Sequence, residues 1–159
     1  MKLPLLFLVL LVNAATLFGQ NTPSKIALCI GISDYYSGCQ WDLVNPQKEA
    51  QEMAIKLAQC GYDTITCYNG TKTEIEQAID SFTGKMKSGG ISLFYFTGHG
   101  CSFMGNNYLM PADACLNGDT MNIPTKCISS SKVINRIEQV QSSLDIIIID
   151  ACRNYLNNA

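Results

Sequence analysis

A histidine and a cysteine stand 53 residues apart, His99 in Thr97-Gly98-His99-Gly100 and Cys152 in Asp150-Ala151-Cys152-Arg153. Each follows directly on an apolar run, "ISLFYF" before the first and "LDIIIID" before the second. A thiol becomes a nucleophile only as its thiolate, and an imidazole can take that proton and later return it to a leaving amine. His99 is the single histidine of the 159-residue sequence, so imidazole catalysis within this chain has no other source. The glycines on either side of His99 keep bulk away from the ring. The N–H of Gly100, with that of Cys152, could hold the oxyanion that forms on an attacked carbonyl.

Both groups must be delivered by the elements before them. "KIALCIGI" (25–32), "ISLFYF" (91–96) and "LDIIIID" (144–150) read as short buried strands, and "YDTITCY" (62–68), which alternates more, as a less buried one. Between them lie amphipathic helical patterns. In 45–61, Ala50, Met53, Ala54, Leu57 and Ala58 fall on one face, with Gly61 as the stop. In 73–90, Thr73 and Glu76 have capping-box spacing, and Ile75, Ala78, Ile79, Phe82 and Met86 form a stripe. A third helix, about 131–141, carries Val133, Ile134, Ile137 and Val140. In the intervening segment, Gly105-Asn106 is placed to turn a small hairpin. Buried strands joined by crossover helices predict an α/β fold, a mainly parallel sheet with helices on both faces. Ligands of such sheets bind beyond the carboxyl ends of the strands. Neighbouring strands are about 4.8 Å apart, so two adjacent tips can bring an imidazole and a thiol together.

The net charge of −2 and pI near 5.3 give no electrostatic reason to expect nucleic acid. Residues 1–19 have one lysine, an apolar stretch from Leu3 to Val12 and then small residues, the layout of a signal peptide cleaved after Ala14, Ala15 or Gly19. The apolar stretch is short of the roughly 20 residues that span a bilayer. The expectation is therefore a secreted or secretory-pathway protein with residues 20–159 as one domain, off the membrane after cleavage. Eight cysteines (29, 39, 60, 67, 101, 115, 127, 152) fit disulfides in such a compartment, with Cys29 read as a buried small hydrophobe. They contain no CxxC pair, so no zinc site is expected, and no motif asks for a cofactor. Asn69-Gly70-Thr71 is a glycosylation sequon in an expected loop.

"YFTGHG" and "IIIIDACRN" resemble the His and Cys blocks of the caspase-like cysteine peptidases of clan CD, in which the His lies about 50 residues before the Cys. Asp-Ala-Cys-Arg departs from the Gln-Ala-Cys of animal caspases and is closer to the paracaspase and metacaspase branch, as are "ALCIGISDY", "NPQKEA" and "GNNYLMPADA". The resemblance spans roughly residues 25–155. It implies a caspase-like three-layer sandwich and an endopeptidase acting on protein or peptide substrates. In it His99 is base and acid, Cys152 the nucleophile, and the amides of Gly100 and Cys152 the oxyanion hole. It also implies that Asp150 lines the specificity pocket, with a second acid from Lys48-Glu49-Ala50, hence Glu49, one methylene longer than the usual Asp. Two carboxylates in one cleft favour Arg or Lys before the scissile bond.

Relatives that resemble this chain continue past the Cys with small-subunit strands, for which the 159 residues have no counterpart. The expectation is a large-subunit domain whose C-terminal strands are missing, with Ile146–Ile149 as an apolar sheet edge and a small-subunit or homologous caspase-like partner to complete the groove. Two other readings stay open: a non-catalytic caspase-like module that binds a full-length relative, and a secreted legumain-like or gingipain-like peptidase.

Overall fold

The structure, a computed structural model, describes residues 22–36, 42–116 and 120–151, and the backbone of 154–155. The signal-peptide segment, Cys39 and Cys152 lie outside the described residues. Four parallel strands form the central sheet in the order β2 (Asp63–Tyr68), β1 (Lys25–Gly31), β3 (Ile91–Gly98), β7 (Leu144–Ala151). Their two side-chain faces separate cleanly. Ala27, Cys29, Leu93 and Tyr95 pack against Ala50, Ala54 and Leu57 of α1 (Pro46–Gln59). Ile26, Leu28, Ile30, Phe94 and Phe96 pack on the other face. There they meet Ile75, Ile79 and Phe82 of α2 (Lys72–Lys85) and Val133 and Ile137 of α4 (Ser130–Glu138). The fold is thus a helix–sheet–helix sandwich, as the sequence predicts, because continuous apolar runs need cover on both sides.

A smaller second sheet sits beyond the carboxyl edge. It has the order β6 (Ile128–Ser129), β5 (Asn106–Leu109), β4 (Gly100–Phe103), β8 (Asn154–Tyr155). A short helix, α3 (Ile123–Lys126), leads into β6.

Several local expectations need correction. The β4–β5 hairpin pairs Phe103 with Asn106, so its two-residue turn is Met104-Gly105 rather than Gly105-Asn106. Both turn residues have positive φ, 47° and 77°, the requirement of the mirror-image turns that match strand twist. The capping box of α2 is Thr71 with Glu74, two residues earlier than Thr73 with Glu76. Both pairs have the T-x-x-E spacing, and starting at Thr71 brings Thr73 inside the first turn. The Glu74 carboxylate accepts from the Thr71 N–H at 2.8 Å, and those bonds hold its pKa below the usual carboxylate value. On α1, Ala58 is exposed while Ala50, Ala54 and Leu57 are buried. The third helix runs 130–138 rather than 131–141, with Val140 beyond its end and partly buried against the core. β7 is a strand as read, but it is not buried throughout. It takes the outer position of the sheet, leaving Leu144 51%, Ile148 38% and Ile149 39% exposed.

Candidate active site

The tips of β3 and β7 are adjacent, and their ladder runs in strict register from Ile91↔Leu144 to Thr97↔Asp150 and Gly98↔Ala151. At Gly98 the backbone takes φ +152°, a conformation side chains rarely adopt, and the chain swings from the large sheet into the hairpin. His99 lies at the corner, half-buried, and Gly100, buried, opens β4 opposite Leu109. Past the corner the same two segments pair again in parallel, Cys101↔Asn154 and Ser102↔Tyr155. The offset is 53 residues on both sides of the corner (98 to 151 and 101 to 154), which is also the spacing of His99 and Cys152.

On the α1 side of this corner a cleft of about 270 Å³ is lined by Leu43, Val44, Asn45, Pro46, Glu49, Thr97, Gly98, Asp150 and Ala151. The structure therefore brings Glu49 and Asp150 to one cavity from different elements. Glu49 sits in the first turn of α1, where its N–H donates to the Asn45 carbonyl at 2.9 Å. Its side chain is half-buried, and Oε2 accepts from the Thr97 hydroxyl at 3.1 Å. α1 can approach the strand tip this closely because β1 ends in Gly31. A Cβ there would stand 2.4 Å from the Pro46 carbonyl oxygen and 2.7 Å from the Ala50 Cβ. Asp150, exposed, is the ladder neighbour of Thr97, so the two carboxylates flank one threonine. Tyr95, two residues back on β3, has its phenol pKa pushed up, chiefly by burial and further by the negative fields of Glu49 and Asp150. Two acids at the mouth of one half-open cleft can accept a cation with several hydrogen-bond donors.

Thr97 and Tyr35 escaped the sequence reading, which assigned neither a role. Tyr35 is buried behind the corner, its ring centroid 4.9 Å from that of His99, and its hydroxyl accepts the His99 N–H at 2.8 Å. The signal was present as the aromatic pair in "ISDYY", but periodicity cannot rank residues of a loop. Asn69, the first residue of the sequon, is also a structural node. Its Oδ1 accepts the N–H groups of Ser33 (2.8 Å) and Asp34 (3.1 Å), and its Nδ2 donates to Asp34 (2.7 Å) and Gln47 (2.8 Å).

Cys115 is disulfide-bonded, while Cys29, Cys60, Cys67, Cys101 and Cys127 carry free thiols. Burial raises the Cys29 thiol to about 11, which leaves it an inert hydrophobe of the core. Among the described residues, no group of three or more His, Cys, Asp or Glu is placed to hold a metal ion.

Comparison with known proteins follows the same outline. The chain is 26% identical over 129 residues to human mucosa-associated lymphoid tissue lymphoma translocation protein 1, and equally to its mouse homolog. The match covers 81% of this chain but 15% of either relative, so the chain spans a small part of their length. A crystal structure of a Geobacter sulfurreducens protein superposes with a TM-score of 0.64 at 17% identity, covering 82% of this chain and 51% of that one, and shows the shared fold. The peptidase C14 caspase-domain model matches residues 24–158. This chain belongs to the caspase-domain family.

Proposed function

We propose that the chain is the large-subunit part of a cysteine endopeptidase that cuts proteins or peptides after Arg or Lys, with His99 and Cys152 as its dyad. The observation that carries this reading is the register. Residues paired across the two strands keep an offset of 53 before and after the corner, and the histidine and cysteine share that offset. In the reaction, His99 takes the Cys152 thiol proton and the thiolate attacks the scissile carbonyl carbon. The Gly100 and Cys152 amides hold the oxyanion. Collapse of the tetrahedral species forms a thioester and breaks the C–N bond, and His99 donates its proton to the departing amine. Water, deprotonated by the same imidazole, then releases the acid and restores the thiol. Glu49 and Asp150 select the basic side chain, their common cleft being the support for that role.

A small-subunit-like partner that adds strands to β7 would wall the groove on its open side. Secretion remains part of the proposal, resting on the pattern of residues 1–19. The exposed apolar edge of β7 favours one second reading, a module that docks onto a full-length relative rather than turning over substrate itself.

The test uses the chain with such a partner supplied. Cys152→Ala and His99→Ala should each abolish cleavage, and the double variant should be little worse than either single one. A peptide library scored by the residue before the cut should return Arg or Lys. Cleavage that survives Cys152→Ala, or a preference for Asp or neutral residues, refutes the proposal. Glu49→Gln should weaken the basic preference and leave labelling of the nucleophile by a small thiol alkylator unchanged.

A further inference from the structure

Residues 32–36 have no regular secondary structure, yet each of their five successive backbone N–H groups has a defined acceptor. Ile32 donates to the Thr97 carbonyl (3.0 Å), and Ser33 and Asp34 donate to the Asn69 side chain. Tyr35 donates to Asp42 Oδ1 (2.8 Å) and Tyr36 to the Ala112 carbonyl (2.9 Å). The acceptors lie on the β3 tip, the end of β2, the approach to α1 and the segment after the hairpin. A loop tied to four separate parts of the fold is a rigid platform, and its one buried aromatic, Tyr35, faces His99.

We infer that Tyr35 is the positioning residue of His99, its hydroxyl fixing the His99 main chain and its ring limiting the rotation of the imidazole. The inference rests on the peptidase reading only for its catalytic consequence. The hydroxyl accepts the His99 N–H at 2.8 Å, and the rings meet at 4.9 Å with a 49° tilt. Gly98 leaves the room for this contact, since a Cβ there would stand 3.1 Å from the Tyr35 hydroxyl oxygen. His99 follows a glycine in an unusual conformation and precedes another glycine, so its own strand neighbours supply little steric guidance. The Tyr35 contact supplies it. Burial pushes the phenol pKa far above its ordinary value, so the hydroxyl stays protonated and acts as a fixed dipole rather than as an acid. Misplacement of a catalytic group by about 1 Å can cost on the order of 100-fold in rate, which sets what such a clamp is worth.

Because the sequence has one histidine, an isotope-labelled full chain without a histidine tag gives one imidazole spin system, and nuclear magnetic resonance can follow it directly. Tyr35→Phe removes one oxygen and keeps the ring. It should move the His99 amide resonance and speed its hydrogen exchange roughly fivefold, the scale of one net hydrogen bond, with the imidazole resonances nearly unmoved. Tyr35→Leu should move the imidazole resonances as well, as the ring current is lost. In cleavage assays with the partner supplied, kcat should fall while KM holds, less for Phe than for Leu. Unmoved His99 amide and imidazole resonances in Tyr35→Leu, with the rest of the spectrum native, overturn the inference. A KM effect at unchanged kcat does so too. If the resonances move as expected while His99→Ala cleaves as well as the unaltered chain, the clamp stands and the peptidase reading is what fails.

Discussion

Replacing Asn69 with glycine isolates what its side chain does. Asn69 has φ 49°, a left-handed conformation that glycine adopts without strain, so Asn69→Gly keeps the backbone path and deletes only the amide group. Four hydrogen bonds disappear, those with the Ser33 and Asp34 N–H groups, with Asp34 Oδ2 and with Gln47 Oε1. Two of the four, to Ser33 and Gln47, lie in partly buried surroundings and contribute about 1 kcal/mol each, while the two exposed ones contribute a few tenths. Ser33 is itself buried, so its orphaned N–H adds about 1 kcal/mol of desolvation cost. The greater unfolded-state freedom of glycine, about 0.5–1 kcal/mol, is offset by its ease in the left-handed region. The expected loss is about 3 kcal/mol, or roughly 10 °C in melting temperature for a domain of this size. Thermal unfolding by circular dichroism measures it. Asn69→Asp should fall between the two, keeping both acceptor bonds while setting a second carboxylate against Asp34. A melting temperature within about 2 °C of the unaltered chain for Asn69→Gly would refute the view that this amide holds the 32–36 loop. The same network occupies Nδ2 twice over, so folded protein recovered from a secretory host should carry no glycan at Asn69, as checked by a mass shift on deglycosylation.

Thr71→Ala should lower stability by about 1 kcal/mol, because the Glu74 N–H loses its cap and the Glu74 carboxylate loses one of its two donors; the corresponding change at Thr73 should cost less, and equal costs would contradict the observed start of α2. Stability should fall between about pH 8.5 and 11. The buried Cys29 thiol has its pKa raised to about 11, so its contribution is complete below the unfolded-state value and is lost as pH rises through the folded one. Cys29→Ala should flatten that alkaline decline in denaturant titrations, and an unchanged slope would show that other groups cause it. The exposed apolar edge of β7 should let copies of the chain associate in sedimentation, and Ile148→Lys, which places a charge there, should reduce that association; a chain that is monomeric without the substitution, or association that the lysine leaves unaltered, would refute this role of the edge.

Most of the sandwich was legible because its signals are local and redundant. Four strands announce themselves as apolar or alternating runs of six to eight residues, and Ile75, Ile79 and Phe82 recur at helical spacing. The misplaced details are those in which two local solutions have equal merit. Thr71 and Thr73 both precede a glutamate by three residues, and Gly105 can serve as the second residue of one turn or the first of another. Tertiary contacts choose between them. The same holds for the site. Glu49 entered only through the family resemblance, because nothing in the helical pattern of 46–59 says that its first turn will be pressed onto a strand tip by the absence of a side chain at Gly31. The structural part played by Asn69 was not legible because a sequon is a three-residue pattern. What decides its meaning is Ser33, Asp34 and Gln47, which lie 22 to 36 residues away in sequence.

Four successive residues, Thr97 to Gly100, join two neighbourhoods of different chemistry. Thr97 turns its hydroxyl toward Glu49 and the acidic cleft, while its carbonyl accepts from Ile32 on the opposite, loop side. Gly98 redirects the chain, His99 rests its main chain on Tyr35, and Gly100 starts the hairpin. Neither neighbourhood can shift without the other, because β3 is central in the sheet and hydrogen-bonded on both sides through Thr97. A parallel strand buried on both faces is the stiffest element such a fold offers, and it ends at the corner that carries His99. Val44 is 93% exposed and Asp150 stands on the sheet's outer strand, so these two positions form the open rim of the cleft. A central strand ending at His99 beside an exposed acidic rim therefore follows from one choice of strand order, β1 and β7 on either side of β3.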